Sequence, residues 1–192
     1  MGLFQRLYDR VMVWARHPHA PWYLAGLSFA EASFFPIPPD VMLAPMSLAR
    51  PARAARFAAL ATVASAAGGL FGYLIGHLAL DAVEPLIHDA GYWSGYLRAR
   101  AWFQDWGFWA VLVAGFSPIP YKVFTIAAGS LAMPLLPFAF ASVVGRGARF
   151  FLVASLLAWG GPRMEQLLRI YIERLGWVIV IASVVGYFLL RR

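Results

Sequence analysis

Phe34-Phe35-Pro36-Ile37-Pro38-Pro39-Asp40 and Phe116-Ser117-Pro118-Ile119-Pro120-Tyr121-Lys122 are the two stretches whose reading decides the fold. Each lies inside a long apolar run. Proline inside a helix removes a backbone donor and clashes with the preceding turn, and it pushes the residue before it toward extended backbone. Pro36, Pro38, Pro39 and Pro45 are therefore expected to break residues 21–49, and Pro118, Pro120, Pro134 and Pro137 to break residues 106–137. Broken backbone at membrane depth is tolerated only where protein or trapped water covers it. The expected form of each stretch is a re-entrant helical hairpin shielded by neighbouring helices.

The two stretches match each other. At an offset of 82, Phe34 falls on Phe116, Pro36 on Pro118, Ile37 on Ile119, Pro38 on Pro120, Asp40 on Lys122 and Val41 on Val123. At an offset of 81, Phe57 and Ala58 fall on Phe138 and Ala139. Each half thus reads as broken hairpin, short link and spanning helix. One helix crossing separates the hairpins, so the second enters from the opposite face. This is the inverted repeat on which alternating-access transporters are built, with sites at the repeat interface.

Composition places these segments in a bilayer. The 192 residues are 61% hydrophobic and 13% charged, with a mean hydropathy of +0.67, which leaves too little polar surface to clothe a soluble globule. Residues 57–80 contain no formal charge and are long enough to cross about 30 Å of hydrocarbon. Gly68, Gly72 and Gly76 in this span form small-residue pairs that admit a close helix neighbour and leave room for a homodimer.

The expected architecture is an all-α polytopic membrane protein forming a single membrane domain over residues 1–192. Residues 1–19 form an interfacial amphipathic helix, with Leu3, Phe4, Leu7, Val11 and Trp14 at helical spacing. Residues 20–80 are the first repeat, 81–105 a connector and 106–160 the second repeat. Residues 161–192 give an amphipathic connector and a C-terminal transmembrane helix. Arg50, Arg53 and Arg56 place the first link in the cytoplasm by the positive-inside rule, which leaves Arg191 and Arg192 outside, against that rule.

The net charge of +7 comes from fifteen arginines and one lysine, whose place beside apolar spans fits headgroup contact and orientation, not nucleic acid. With no cysteine, disulfides, thiolate metal sites and thiol nucleophiles are excluded. His17, His19, His77 and His88 lack metal-ligand spacing, and no catalytic motif is present. No enzyme, metal or cofactor is expected.

Charged groups at mid-membrane cost about 2.5 to 3.5 kcal/mol or more, so they persist when paired, hydrated or used. Glu31 and Asp40 flank the first break, Lys122 closes the second, and Arg146 and Arg149 lie three apart on the following helix. Face-to-face repeats would let Asp40 and Lys122 neutralise each other. Two acids against three bases leave a surplus cation that suits a lipid phosphate held by Lys122, Arg146 and Arg149. Tyr121 is a further candidate donor to that anion, and Glu31 and Asp40 are candidates for proton coupling or charge pairing.

The runs Glu31-Ala-Ser-Phe-Phe-Pro-Ile-Pro-Pro-Asp40, Gly115-Phe-Ser-Pro-Ile-Pro-Tyr-Lys-Val-Phe-Thr-Ile-Ala-Ala-Gly129 and Gly145-Arg-Gly-Ala-Arg-Phe150 resemble the DedA family, of the VTT or SNARE-associated domain superfamily, in its YqaA-like branch. The resemblance covers roughly residues 20–160. It implies a bacterial inner-membrane, multi-pass protein with two opposed re-entrant hairpins, in a superfamily that includes lipid scramblases. Some bacterial members are implicated in returning undecaprenyl phosphate or phosphatidylethanolamine across the membrane, and the family is tied to membrane-potential homeostasis. By this resemblance Glu31 and Asp40 match the functional acids, and Lys122 the basic residue after the second turn. Many members place an arginine just before that turn where this chain has Gly115, a role that Arg146 and Arg149 are expected to assume. The expected function is a flippase or scramblase for a phosphate-bearing lipid. The alternatives are a proton- or ion-coupled exchanger of small solutes and a non-transporting scaffold.

Overall fold

A computed structural model describes residues 13–15, 17–91, 93–117 and 119–161. The expected N-terminal amphipathic helix up to residue 12, Pro118, and the expected C-terminal connector and span from residue 162 lie outside the described residues. Within them the chain is helical and contains no strand.

Helix α1 (Ala20–Ser33) begins with Pro21 in its first turn, where a missing donor breaks no helical bond, and ends as Phe34 donates back to the Ala30 carbonyl. Six irregular residues follow, and α2 (Asp40–Ala49) starts immediately after Pro39. The two arms have 14 and 10 residues; at about 1.5 Å per residue neither crosses 30 Å of hydrocarbon. Pro45 does not break the chain as expected but sits buried inside α2. A 3₁₀ turn (Pro51–Arg53) leads into α3 (Ala54–Asp89), and Arg53 and Arg56 are exposed there.

At 36 residues α3 runs well past the uncharged stretch that ends at Leu80. It reverses at Ala90 and Gly91, whose φ of +74° suits glycine. Helix α4 (Trp93–Phe116) follows. The polar connector at residues 81–105 is thus helix on both sides of a tight turn, since charge on an exposed helix face does not oppose helicity. After the second break comes α5 (Tyr121–Ser130), then α6 (Leu135–Gly161), whose first turn accommodates Pro137. The expected order of broken segment, link and long apolar helix is present in both halves.

Helix α3 is the spine, packed against α1, α5 and α6. Its glycines set the approach. A Cβ on Gly68 would collide with the Phe29 carbonyl of α1, and one on Gly76 with the Ile126 carbonyl of α5. Gly72 faces both Thr125 and the Ala32 carbonyl. The small-residue stripe is therefore filled within one chain.

Two apolar cores result. One gathers Leu24, Leu43, Met46, Phe57, Ala61 and Phe150; the other gathers Ala32, Val111, Tyr121, Ala128, Phe138 and Ala141. Helices α1, α3 and α6 each contribute to the packing of both, and each changes character between them. Ser28 and Glu31 on α1, Thr62 and Ser65 on α3, and Ser142 and Arg146 on α6 are all buried. They form a polar layer between the two cores.

Candidate functional site

The polar layer opens into a cavity of about 310 Å³ lined by residues of both broken segments: Phe35, Pro36, Pro38, Pro39 and Asp40 from the first, Ile119, Pro120 and Lys122 from the second. Glu31, Arg146 and Arg149 complete the wall. The two prolyl breaks meet at one place. Helices α2 and α5 both begin here, at Asp40 and Tyr121, so the positive ends of their dipoles face the cavity.

Arg146 is buried, and two of its three side-chain nitrogens donate hydrogen bonds. Its Nη2 donates to Glu31 Oε2. Its Nε donates to Ser65 Oγ at 2.7 Å. The guanidinium lies over the Tyr121 and Phe150 rings, with centroids 5.1 and 4.6 Å from Cζ, two cation–π contacts. This satisfies most of what a desolvated guanidinium requires.

Arg149 is placed differently. Its Nη2 donates to Asp40 Oδ2 at 2.5 Å and its Nη1 to the Ser117 carbonyl at 2.6 Å. One guanidinium thereby joins the start of α2 to the residue that follows α4. The pair is partly exposed, at 17% for Arg149 and 24% for Asp40. It is also single-pronged, since Asp40 Oδ1 is buried without a partner.

Two sequence expectations change here. Asp40 does not neutralise Lys122; it pairs with Arg149, whose planar fork reaches across from α6. Lys122 has no ion pair or side-chain hydrogen bond among the described residues. The surplus cation inferred from the charge count is therefore this lysine, half-buried in the cavity wall. Tyr121 is not brought into the cavity. It is wholly buried, and its hydroxyl and that of Ser142 are 2.5 Å apart in a hydrogen bond, so it forms the bed under Arg146.

Gly115 explains why no arginine precedes the second turn. A Cβ there would lie 3.2 Å from the Arg146 backbone nitrogen, and one on Gly145 would lie 2.5 Å from the Leu112 carbonyl, because α4 and α6 cross closely. Arg149 reaches the turn from α6 instead. Ser65 and Ser142 were not singled out from sequence. The signal that could have found them is spacing: Ser28 with Glu31, Thr62 with Ser65, and Ser142 with Arg146 each put two polar residues three or four apart on one face of an apolar helix.

The family model of the VTT domain matches residues 33–158, which contain both breaks and both arginines. The chain belongs to the VTT-domain family, the DedA proteins. Two relatives cover it end to end: a protein of Haemophilus influenzae is 48% identical over 191 residues and one of Histophilus somni 49% identical over 191 residues, each alignment covering the whole of both chains. The undecaprenyl phosphate transporter A of Staphylococcus aureus is 30% identical over 141 residues, covering 69% of this chain and 68% of its own. No solved structure matches this VTT-domain chain.

Proposed function

We propose that this VTT-domain protein moves a phosphate-bearing lipid, undecaprenyl phosphate or a phospholipid such as phosphatidylethanolamine, across the bacterial inner membrane. The observation that carries the reading is Lys122: an ammonium without a partner among the described residues, in the wall of a cavity where the two arginines are paired. With Glu31, Asp40, Arg146 and Arg149 ionised, the wall carries one net positive charge, and a phosphate monoanion brings it to neutrality.

The short arms α1, α2 and α5 support re-entrant hairpins, because helices of 10 to 14 residues cannot span. The polar layer between two apolar cores supports a site near mid-membrane. Lys122 and Arg149 contact the phosphate; Arg146 and Tyr121 hold the wall behind them. Asp40, with one carboxylate oxygen spare, supports a role for a proton in transport. The 30% identity to a transporter of undecaprenyl phosphate supports this substrate class.

Reconstitution in liposomes containing reporter phospholipids or undecaprenyl phosphate, with and without a pH gradient, tests the proposal. Protein-dependent headgroup exposure at the opposite leaflet is expected for at least one of these lipids. Solute flux with every lipid left in place favours an exchanger and overturns the lipid reading.

A further inference from the structure

The two arginines of the cavity differ in exposure: Arg146 is buried at 2%, whereas Arg149 is 17% exposed. Arg146 has two donors committed and lies over two aromatic rings. Its partner Ser65 lies 81 residues away, the repeat offset itself. Ser65 and Arg146 thus hold equivalent places on α3 and α6, and the two long helices touch there.

Arg149, three residues further along α6, ties Asp40 of the first break to Ser117 of the second. At the same offset its counterpart is Gly68. No side chain fits there, because a Cβ on Gly68 would strike the Phe29 backbone. The tie therefore exists once, in a fold built from two similar halves.

We infer that Arg149 is a one-sided latch: its bridge between Asp40 and the Ser117 carbonyl holds the two prolyl breaks together, and a phosphate arriving at Lys122 takes the guanidinium from Asp40 and releases them. The inference rests on the phosphate site proposed above and adds its regulation. A phosphate offers two oxygens to the guanidinium fork, whereas Asp40 engages it through one. Arg149 can change partner because the pair is partly exposed. Glu31, Arg146 and Lys122 are the other charged groups of the cavity, and only Lys122 is free to draw the anion in. Arg149 is thus a positioning residue before the ligand arrives and a ligand afterwards.

The chain contains no cysteine, so labels can be introduced without background. Phe34 and Phe116 are exposed, one on each break, and neither lines the cavity. Spin labels at Phe34→Cys and Phe116→Cys in the full chain, held in a phosphate-free maltoside detergent, report the separation of the breaks by pulsed dipolar spectroscopy. Dodecyl phosphate, inorganic phosphate and dodecyltrimethylammonium are added in parallel, and binding is followed by calorimetry.

The latch predicts a narrow distribution without ligand that shifts to longer distance with dodecyl phosphate and not with the cationic detergent. Arg149→Gln should show the long distance with no ligand. Arg149→Lys, which keeps the charge but has no fork to reach both partners, should fall between the two. An unchanged distribution in Arg149→Gln, or in wild type with dodecyl phosphate bound, overturns the latch and leaves the phosphate site standing. If only inorganic phosphate binds and opens the breaks, the latch holds and the lipid assignment fails. Absence of binding by both phosphates, with Arg149→Gln long, overturns the release step and the phosphate site while leaving the closure. The wild-type ligand arm decides the matter even if a variant fails to fold.

Discussion

Lys122 and Arg146 line the same cavity and carry the same charge, yet truncating them should have opposite consequences. Lys122→Ala removes no ion pair, so thermal unfolding in detergent should change by no more than about 0.5 kcal/mol. Dodecyl phosphate affinity should fall about tenfold or more, the worth of one charge-assisted hydrogen bond of about 1.5 to 3 kcal/mol. Arg146→Ala strands Glu31 in the polar layer and should destabilise the protein by about 3 to 5 kcal/mol. Glu31→Gln should show a loss of similar origin, and the double variant Glu31→Gln with Arg146→Gln should be more stable than either single variant in the same unfolding measurement. The presence of a surplus cation was legible in sequence as two acids against three bases. Its identity was not, because the choice of partner for Asp40 depends on how α6 crosses the breaks, which one helix cannot show.

At the scale of the element, prolines and glycines carried most of the readable information. Pro36, Pro38, Pro39 and Pro120 fall where helices stop or start, because a missing donor and a fixed φ act locally. Pro45 and Pro85 lie inside helices instead; at Pro45, packing of Leu43 and Met46 into the first core outweighs one lost helical bond. The helicity of residues 81–105 was less legible, since polarity marks exposure and not the end of a helix. The glycine stripe of α3 makes a quantitative prediction. Gly76→Val should prevent α5 from seating and lower the yield of monodisperse protein sharply, whereas Gly26→Ala, with nothing near its Cβ, should be neutral or slightly stabilising by about 0.5 to 1 kcal/mol. Size-exclusion profiles and thermal unfolding distinguish these outcomes.

Across the whole molecule, two similar halves meet with unlike charges. Their equivalent end-residues, Asp40 and Lys122, both reach the cavity, but one is bound by Arg149 and the other has no partner among the described residues. The repeat was legible because five identities and one charge reversal fall at one offset. The polar layer was not, because Ser28, Thr62, Ser65 and Ser142 are unremarkable until three helices bring them to one level. The central claim is that the free cation carries a lipid phosphate past this layer. Headgroup exposure in liposomes, measured side by side for wild type and for folded Lys122→Ala at equal incorporation, tests it most directly. The account predicts exposure of a phosphate-bearing lipid with wild type and its loss, by about tenfold or more, with Lys122→Ala; equal rates for the two proteins would contradict it.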